Sequence, residues 1–210
     1  LRGKFITFEG MDGCGKSTQL RRLAARLRAA GRDVVETAEP GGTAIGEQIR
    51  RILLDPANNH LSSTAEIFLY FASRAQNVDE RIAPALAAGR IVLADRFTDS
   101  TMAYQGYGRG LGVEMVRMLD QFACRGLAPD LTVLIDIGVE TSLARARERN
   151  VSGRESHTRM DEQSIEFYNA VRAAYLRMTT GEPCRFRIID GRASADEVER
   201  RVWEAVAPHV

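Results

Sequence analysis

The chain has 210 residues, 44% hydrophobic and 27% charged, and its 29 basic residues against 28 acidic ones leave a net charge of +1. That length suffices for one α/β domain with a sizeable core, and the charge balance argues against a nucleic-acid-binding surface formed by bulk charge. No apolar run approaches the roughly 20 residues of a membrane span, no leader peptide is expected at the N-terminus, and Cys14, Cys124 and Cys184 lack metal-ligand spacing, so they read as free thiols in a reducing cytoplasm.

Apolar runs and amphipathic segments alternate along the chain. Phe5–Glu9 predicts a strand, and Lys16–Ala30 a helix closed by Gly31. A strand at Val34–Thr37 and a helix at Thr43–Leu54 follow, then irregular residues 55–63. Thr64–Ala88 reads as a long helix closed by Gly89, Ile91–Asp95 as a strand, and Val113–Cys124 as a helix. Leu131–Asp136 predicts a strand, Glu140–Arg149 a helix, 150–159 an irregular stretch and Asp161–Met178 a helix. A strand at Arg187–Asp190 and a helix at Ala195–Val206 end the chain. This order predicts a three-layer α/β fold, with about five parallel strands flanked by helices, in a single domain over 1–210. Glu9, Asp95, Asp136 and Asp190 close four of the strands, at the sheet end where ligands bind in such folds.

Residues Gly10 to Ser17 read Gly-Met-Asp-Gly-Cys-Gly-Lys-Ser, a complete G-x-x-x-x-G-K-[ST] loop between a strand and a helix. In that context Gly10, Met11, Asp12, Gly13, Cys14, Gly15, Lys16, Ser17 and Thr18 form a cradle for nucleoside triphosphate phosphates. The helix N-terminus adds partial positive charge. Lys16 reaches the β- and γ-phosphates, and Ser17 supplies a hydroxyl for Mg²⁺. Cys14 reads as a small filler. The expected class is therefore the P-loop NTPase fold. The guanine-reading N-K-x-D element of a GTPase is not found, nor are the paired acids that follow a long Walker-B strand in motor ATPases.

Four further segments suit a second phosphorylated ligand. Asp95-Arg96-Phe97 places a forked phosphate-binding donor beside a carboxylate able to orient Mg²⁺. Glu39-Pro40-Gly41-Gly42-Thr43 allows a tight turn and a helix cap. Tyr70 and Arg74, four apart, share a helix face on which a ring and a forked donor can meet a base. Ser100, Thr101, Tyr104 and Gln105 offer a polar lining fit for a nucleoside.

Together with Phe8-Glu9-Gly10 through Gln19, Ala72-Ser73-Arg74-Ala75-Gln76 and Pro129-Asp130-Leu131-Thr132, these segments resemble the thymidylate kinase family over nearly the whole chain. The D-R-[FYH]-x-x-S-x-x-A-Y-Q pattern from Asp95 to Gln105 is the most specific part. The resemblance implies phosphorylation of dTMP to dTDP by MgATP in a cytoplasmic homodimer. It implies that Arg96 holds the dTMP phosphate, Asp95 and Ser17 serve the Mg²⁺ site, and Asp12 contacts the deoxyribose 3′-hydroxyl. Tyr70 would stack on thymine, and Arg74 would bond its carbonyl edge. Glu39, Ser100, Thr101 and Gln105 would line the acceptor site, and Tyr104 would crowd the sugar 2′ position. Gly13 occupies the place where some members carry a P-loop arginine, so the chain resembles those with basic residues in a mobile lid at about 145–160. Arg149 is the first candidate for the catalytic lid arginine, then Arg159 and Arg154, while Arg145 would stack on adenine opposite residues 190–193. Many bacterial members carry Arg before Glu-Pro-Gly-Gly-Thr; here that residue is Ala38. The alternatives are another nucleoside monophosphate or deoxynucleoside kinase, or a non-catalytic ATP-binding regulator.

Overall fold

The computed structural model describes the backbone of residues 2–151 and 158–210, and the side chains of all of these except 149–151, 161 and 162. Five strands, β1 (Phe5–Glu9), β2 (Val34–Ala38), β3 (Ile91–Asp95), β4 (Leu131–Asp136) and β5 (Phe186–Asp190), form one parallel sheet in the order β2-β3-β1-β4-β5. Every residue of β1 is buried, Thr7 and Glu9 included, as in a strand covered on both faces. The observed bounds of β1, β3 and β4 are those predicted, and β2 and β5 each gain one residue.

The helices are α1 (Lys16–Ala29), α2 (Ala44–Leu54), α3 (Ser63–Asn77), α4 (Ala83–Ala87), α5 (Thr98–Thr101), α6 (Val113–Cys124), α7 (Val139–Val151), α8 (Ile165–Gly181) and α9 (Ala195–Val206). On one sheet face, the α1 stripe Leu20, Leu23, Ala24 and Leu27 packs with Val198 and Val202 of α9 against Ile6, Phe8 and Val133. On the other face, Phe5, Val92 and Phe97 meet Val78, Ile82 and Leu86, while Tyr168, Val171 and Tyr175 of α8 lie under Leu134 and Phe186. Side-chain oxygens of Thr43, Ser164 and Ser194 accept from backbone N–H groups in the first turns of α2, α8 and α9.

Two predicted helices and one segment predicted without a helix need correction. The run Thr64–Ala88 is not one α-helix, because a π-helical turn at Val78–Ile82 separates α3 from α4. The helix expected from Asp161 begins only at Ile165 behind its Ser164 cap and runs on to Gly181, with a 3₁₀ turn at Arg159–Glu162 before it. The segment left without a helix after β3 forms α5 and a π-helical stretch, Met102–Gly108.

Strand β2 is an edge. Two of its outward carbonyls are covered from neighbouring helical segments: Arg28 Nη2 donates to Val34 O (2.9 Å) and Arg81 Nη2 to Glu36 O (3.0 Å).

Candidate active site

The loop between β1 and α1 turns through Gly10, Gly13 and Gly15, all at positive φ. Gly15 caps α1 with no side-chain acceptor, so the first N–H groups of this helix are left for an anion. Lys16 is buried, and its Nζ donates to Asp12 Oδ1 (3.3 Å). Arg96 Nη2 donates to the same oxygen (2.9 Å), so Asp12 joins the loop lysine to the Asp-Arg motif. Ser17 Oγ donates to the Asp95 carboxylate, which brings together the two residues expected at the metal site. Met11 packs in the core with Tyr104 and Leu134. Cys14 is a buried core residue whose thiol is pushed up, chiefly by burial, consistent with a filler.

Gly13 marks where α7 comes down on the loop. A Cβ there would lie 2.6 Å from Ser142 O and 3.0 Å from Arg145 Cβ, and the backbone sits at φ 78°. An arginine at this position has no room beside α7. Ser142 Oγ donates to Asp12 O, fastening the same contact.

Arg96 itself sits at φ 73°, a left-handed conformation that a long side chain adopts at a cost. The surrounding structure holds it there. Its N–H donates to Phe8 O (2.9 Å), and the next N–H, of Phe97, donates to Glu9 Oε1 (2.8 Å). The guanidinium donates to Asp12, to Ser100 Oγ (2.9 Å), and more distantly to Tyr104 OH (3.3 Å) and Tyr175 OH (3.4 Å). Ser100 Oγ and Tyr175 OH donate in turn to Glu9 Oε2, at 2.5 and 2.9 Å. Glu9 is fully buried, and burial together with the Asp99 charge pushes its carboxyl up to about 7. One buried carboxylate thus anchors both the strained backbone and the hydroxyls around the guanidinium.

The residues expected to meet the base lie on and beside α3. Arg74 is buried between Phe71 and Phe97; its Nε donates to Glu39 Oε2 (2.5 Å) and its Nη2 to Thr101 Oγ1 (2.9 Å). Its Nη1 is buried with no hydrogen-bond partner among the described residues. Glu39 also accepts from Asn77 Nδ2 (3.1 Å), so both its oxygens serve to orient neighbouring side chains. Tyr70, one turn before Arg74, is half-buried, and burial pushes its phenol up to about 12. Gln105 donates to Glu66 (2.7 Å), and Tyr104 is buried under the Arg96 guanidinium.

Arg145 Nη1 donates to Gly191 O (3.1 Å), so the two segments expected to wall an adenine site touch. Arg159 is buried against Glu66 of α3 and Leu53 O of α2. The Arg149 side chain and Arg154 lie outside the described residues.

Sequence reasoning missed Tyr175, Asn77, Glu66 and the anchoring role of Glu9. Tyr175 lies 166 residues from Glu9 and looks like any buried tyrosine in a helix, so no local signal marked it. Arg50 was also passed over; it donates to Pro40 O (2.8 Å) and brings a guanidinium to the turn where Ala38 supplies none.

A family model described as thymidylate kinase matches residues 8–202. A relative named thymidylate kinase from Trichlorobacter lovleyi is 50% identical over 204 residues, covering 96% of each chain. Another of that name from Solidesulfovibrio magneticus is 48% identical over 204 residues, covering 96% of this chain and 98% of its own. A third, from Geobacter sulfurreducens, is 46% identical over 210 residues.

Proposed function

The chain belongs to the thymidylate kinase family, and from that premise we propose that it transfers the γ-phosphoryl group of ATP to the 5′-phosphate of dTMP, giving dTDP and ADP. The observation that carries this reading is the Asp12 carboxylate bridging Lys16 of the phosphate loop to Arg96 of the Asp-Arg motif. A donor phosphate on the loop amides and an acceptor phosphate on Arg96 would then face each other across one side chain.

The attacking oxygen belongs to an already ionised phosphate, so no strong general base is required, and positioning with charge stabilisation supplies the acceleration. Lys16 and the first turn of α1 hold the donor phosphates. Arg96 fixes the acceptor. Tyr70 and Arg74 hold the base, Asp12 meets the 3′-hydroxyl, and the Tyr104 ring excludes a 2′-hydroxyl by bulk. Arg149 is the lid arginine that neutralises the transferring group, in a lid spanning about 145–160 of a single domain. The donor set at Ser17 and Asp95, a hydroxyl and a carboxylate, fits a hard ion such as Mg²⁺, with phosphate and water oxygens completing the shell. Bound there, Mg²⁺ would neutralise phosphate charge.

The test is ADP release with dTMP, dUMP, ribosyl TMP, AMP and dCMP as acceptors, each with and without Mg²⁺. Turnover confined to dTMP, weak with dUMP and abolished by EDTA, is the expected result. Turnover that prefers another acceptor would overturn the base assignment, and metal-independent turnover the role of Ser17 and Asp95.

Among the described residues no helix is long and apolar enough to cross a membrane. The free cysteines favour a cytoplasmic setting. A homodimer is supported by the face that α3 and α6 share, where Phe68, Met118 and Phe122 are exposed, Phe122 by 78%. Sedimentation of the wild type should give a dimer, and of Phe122→Glu a monomer. A monomeric wild type at micromolar concentration would dispose of this assembly.

A further inference from the structure

Glu66, Tyr70 and Arg74 succeed one another at four-residue steps on one face of α3. Thr101 and Gln105, also four apart, face them from α5 and the π-helical stretch after it. Arg74 Nη2 donates to Thr101 Oγ1 (2.9 Å), and Gln105 Nε2 to Glu66 Oε1 (2.7 Å). These two rungs bracket Tyr70.

The second rung has a fixed polarity. Glu66 is fully buried and also accepts from Arg109 Nε and Nη2 (both 3.2 Å) and from Arg159 Nη2. Burial pushes its carboxyl up, but hydrogen bonds from Arg109 and Gln105, with the charges of Arg109 and Arg159, outweigh this and hold it below the usual carboxylate range. An ionised carboxylate can only accept. The Gln105 amide must therefore turn its NH₂ toward Glu66, which settles an orientation that an isolated glutamine leaves open. Its carbonyl Oε1 then points away from Glu66, and it accepts no hydrogen bond among the described residues.

The first rung offers the opposite group, since Arg74 Nη1 is a buried donor with no partner among the described residues. A base seated on Tyr70 therefore meets a donor from Arg74 and an acceptor from Gln105. Thymine and uracil present the complement, a carbonyl O4 and an N3–H. Cytosine presents the reverse, an amino group and an unprotonated N3.

We propose that Glu66 is a specificity-determining positioning residue: by anchoring the Gln105 amide nitrogen, it presents the amide oxygen to ring N3, admitting pyrimidines that donate there and rejecting cytosine. The inference rests on the dTMP reading of the pocket beside Tyr70. It adds a residue that touches no part of the substrate.

The experiment measures kcat/KM for dTMP, dUMP and dCMP with the full-length wild type, Glu66→Gln, Glu66→Asp and Gln105→Leu. A glutamine at 66 can donate as well as accept, so the Gln105 amide is free to reverse. The dTMP:dCMP ratio should fall at least about tenfold in Glu66→Gln, since reading a hydrogen-bond pattern is what gives a site strong discrimination. The dTMP:dUMP ratio should stay unchanged, because the amide does not read the 5-methyl group. Glu66→Asp keeps the charge for Arg109 and Arg159 but draws the carboxylate back from Gln105, and should lower the dTMP:dCMP ratio in the same direction. If both variants lose activity equally toward dTMP and dCMP, Glu66 is merely structural and the proposal is overturned. Should Glu66→Gln fail to fold, Gln105→Leu decides: an unchanged ratio overturns the proposal, and a collapsed one supports it. A wild type that turns over dCMP as well as dTMP would instead sink the dTMP reading, and this inference with it.

Discussion

Lys16→Ala should lower kcat by about 10²–10³-fold, the loss seen when one preorganised charge-stabilising donor is removed from a transition state. Lys16 is buried at the start of α1. Among the described residues its side chain is held by one long contact, to Asp12 at 3.3 Å, so removing it strips little from the fold. The KM for dTMP should move far less than kcat, because the acceptor phosphate is assigned to Arg96. Near-normal turnover in a folded variant would take Lys16 out of the mechanism. Arg149→Ala, assayed beside it, should also lower kcat more than it weakens dTMP binding. An unchanged kcat there would pass the lid role to Arg154, since Arg159 is held by Glu66.

Arg96→Ala should cost about 2–5 kcal/mol of acceptor recognition, as truncating one partner of a buried charged pair does, or roughly 30- to 4,000-fold in kcat/KM for dTMP. Arg96→Lys should recover little of this. A lysine ammonium cannot reproduce the fork that meets Asp12 and Ser100 together. The backbone supplies an internal control. Both Arg96→Ala and Arg96→Gly lack the guanidinium, but only glycine is at ease at φ 73°. Arg96→Gly should therefore melt at a higher temperature than Arg96→Ala, by an amount corresponding to about 1 kcal/mol. Equal melting temperatures would show that the left-handed backbone stores no strain, and wild-type kcat/KM in Arg96→Lys would remove the fork from acceptor binding.

The sequence was most legible where structure is local. The bounds of β1, β3 and β4 were predicted because buried parallel strands are short, unbroken apolar runs ending in an acid. The phosphate loop was legible because its glycines and lysine are consecutive. Helical structure after β3 was not, because Thr98, Ser100, Thr101 and Gln105 break the apolar period. Those polar residues face Glu9, Glu66, Arg74 and Asp120, so buried polar partners there displaced the pattern that marks a helix. The π-helical turn at Val78–Ile82 leaves no trace in composition. The Glu9–Ser100–Tyr175 cluster joins three distant parts of the chain, and only the fold brings them together. At Gly13 the sequence shows only that an arginine is lacking; the fold shows why, since the Ser142 carbonyl of α7 occupies the space a side chain would need.

The two guanidiniums on the β2 edge give the sheet a charged hem. Another strand seeking to extend the ladder there would have to strip Arg28 and Arg81 from Val34 O and Glu36 O and leave two cations without those partners. At high protein concentration, this closes the route by which one molecule could template the stacking of the next.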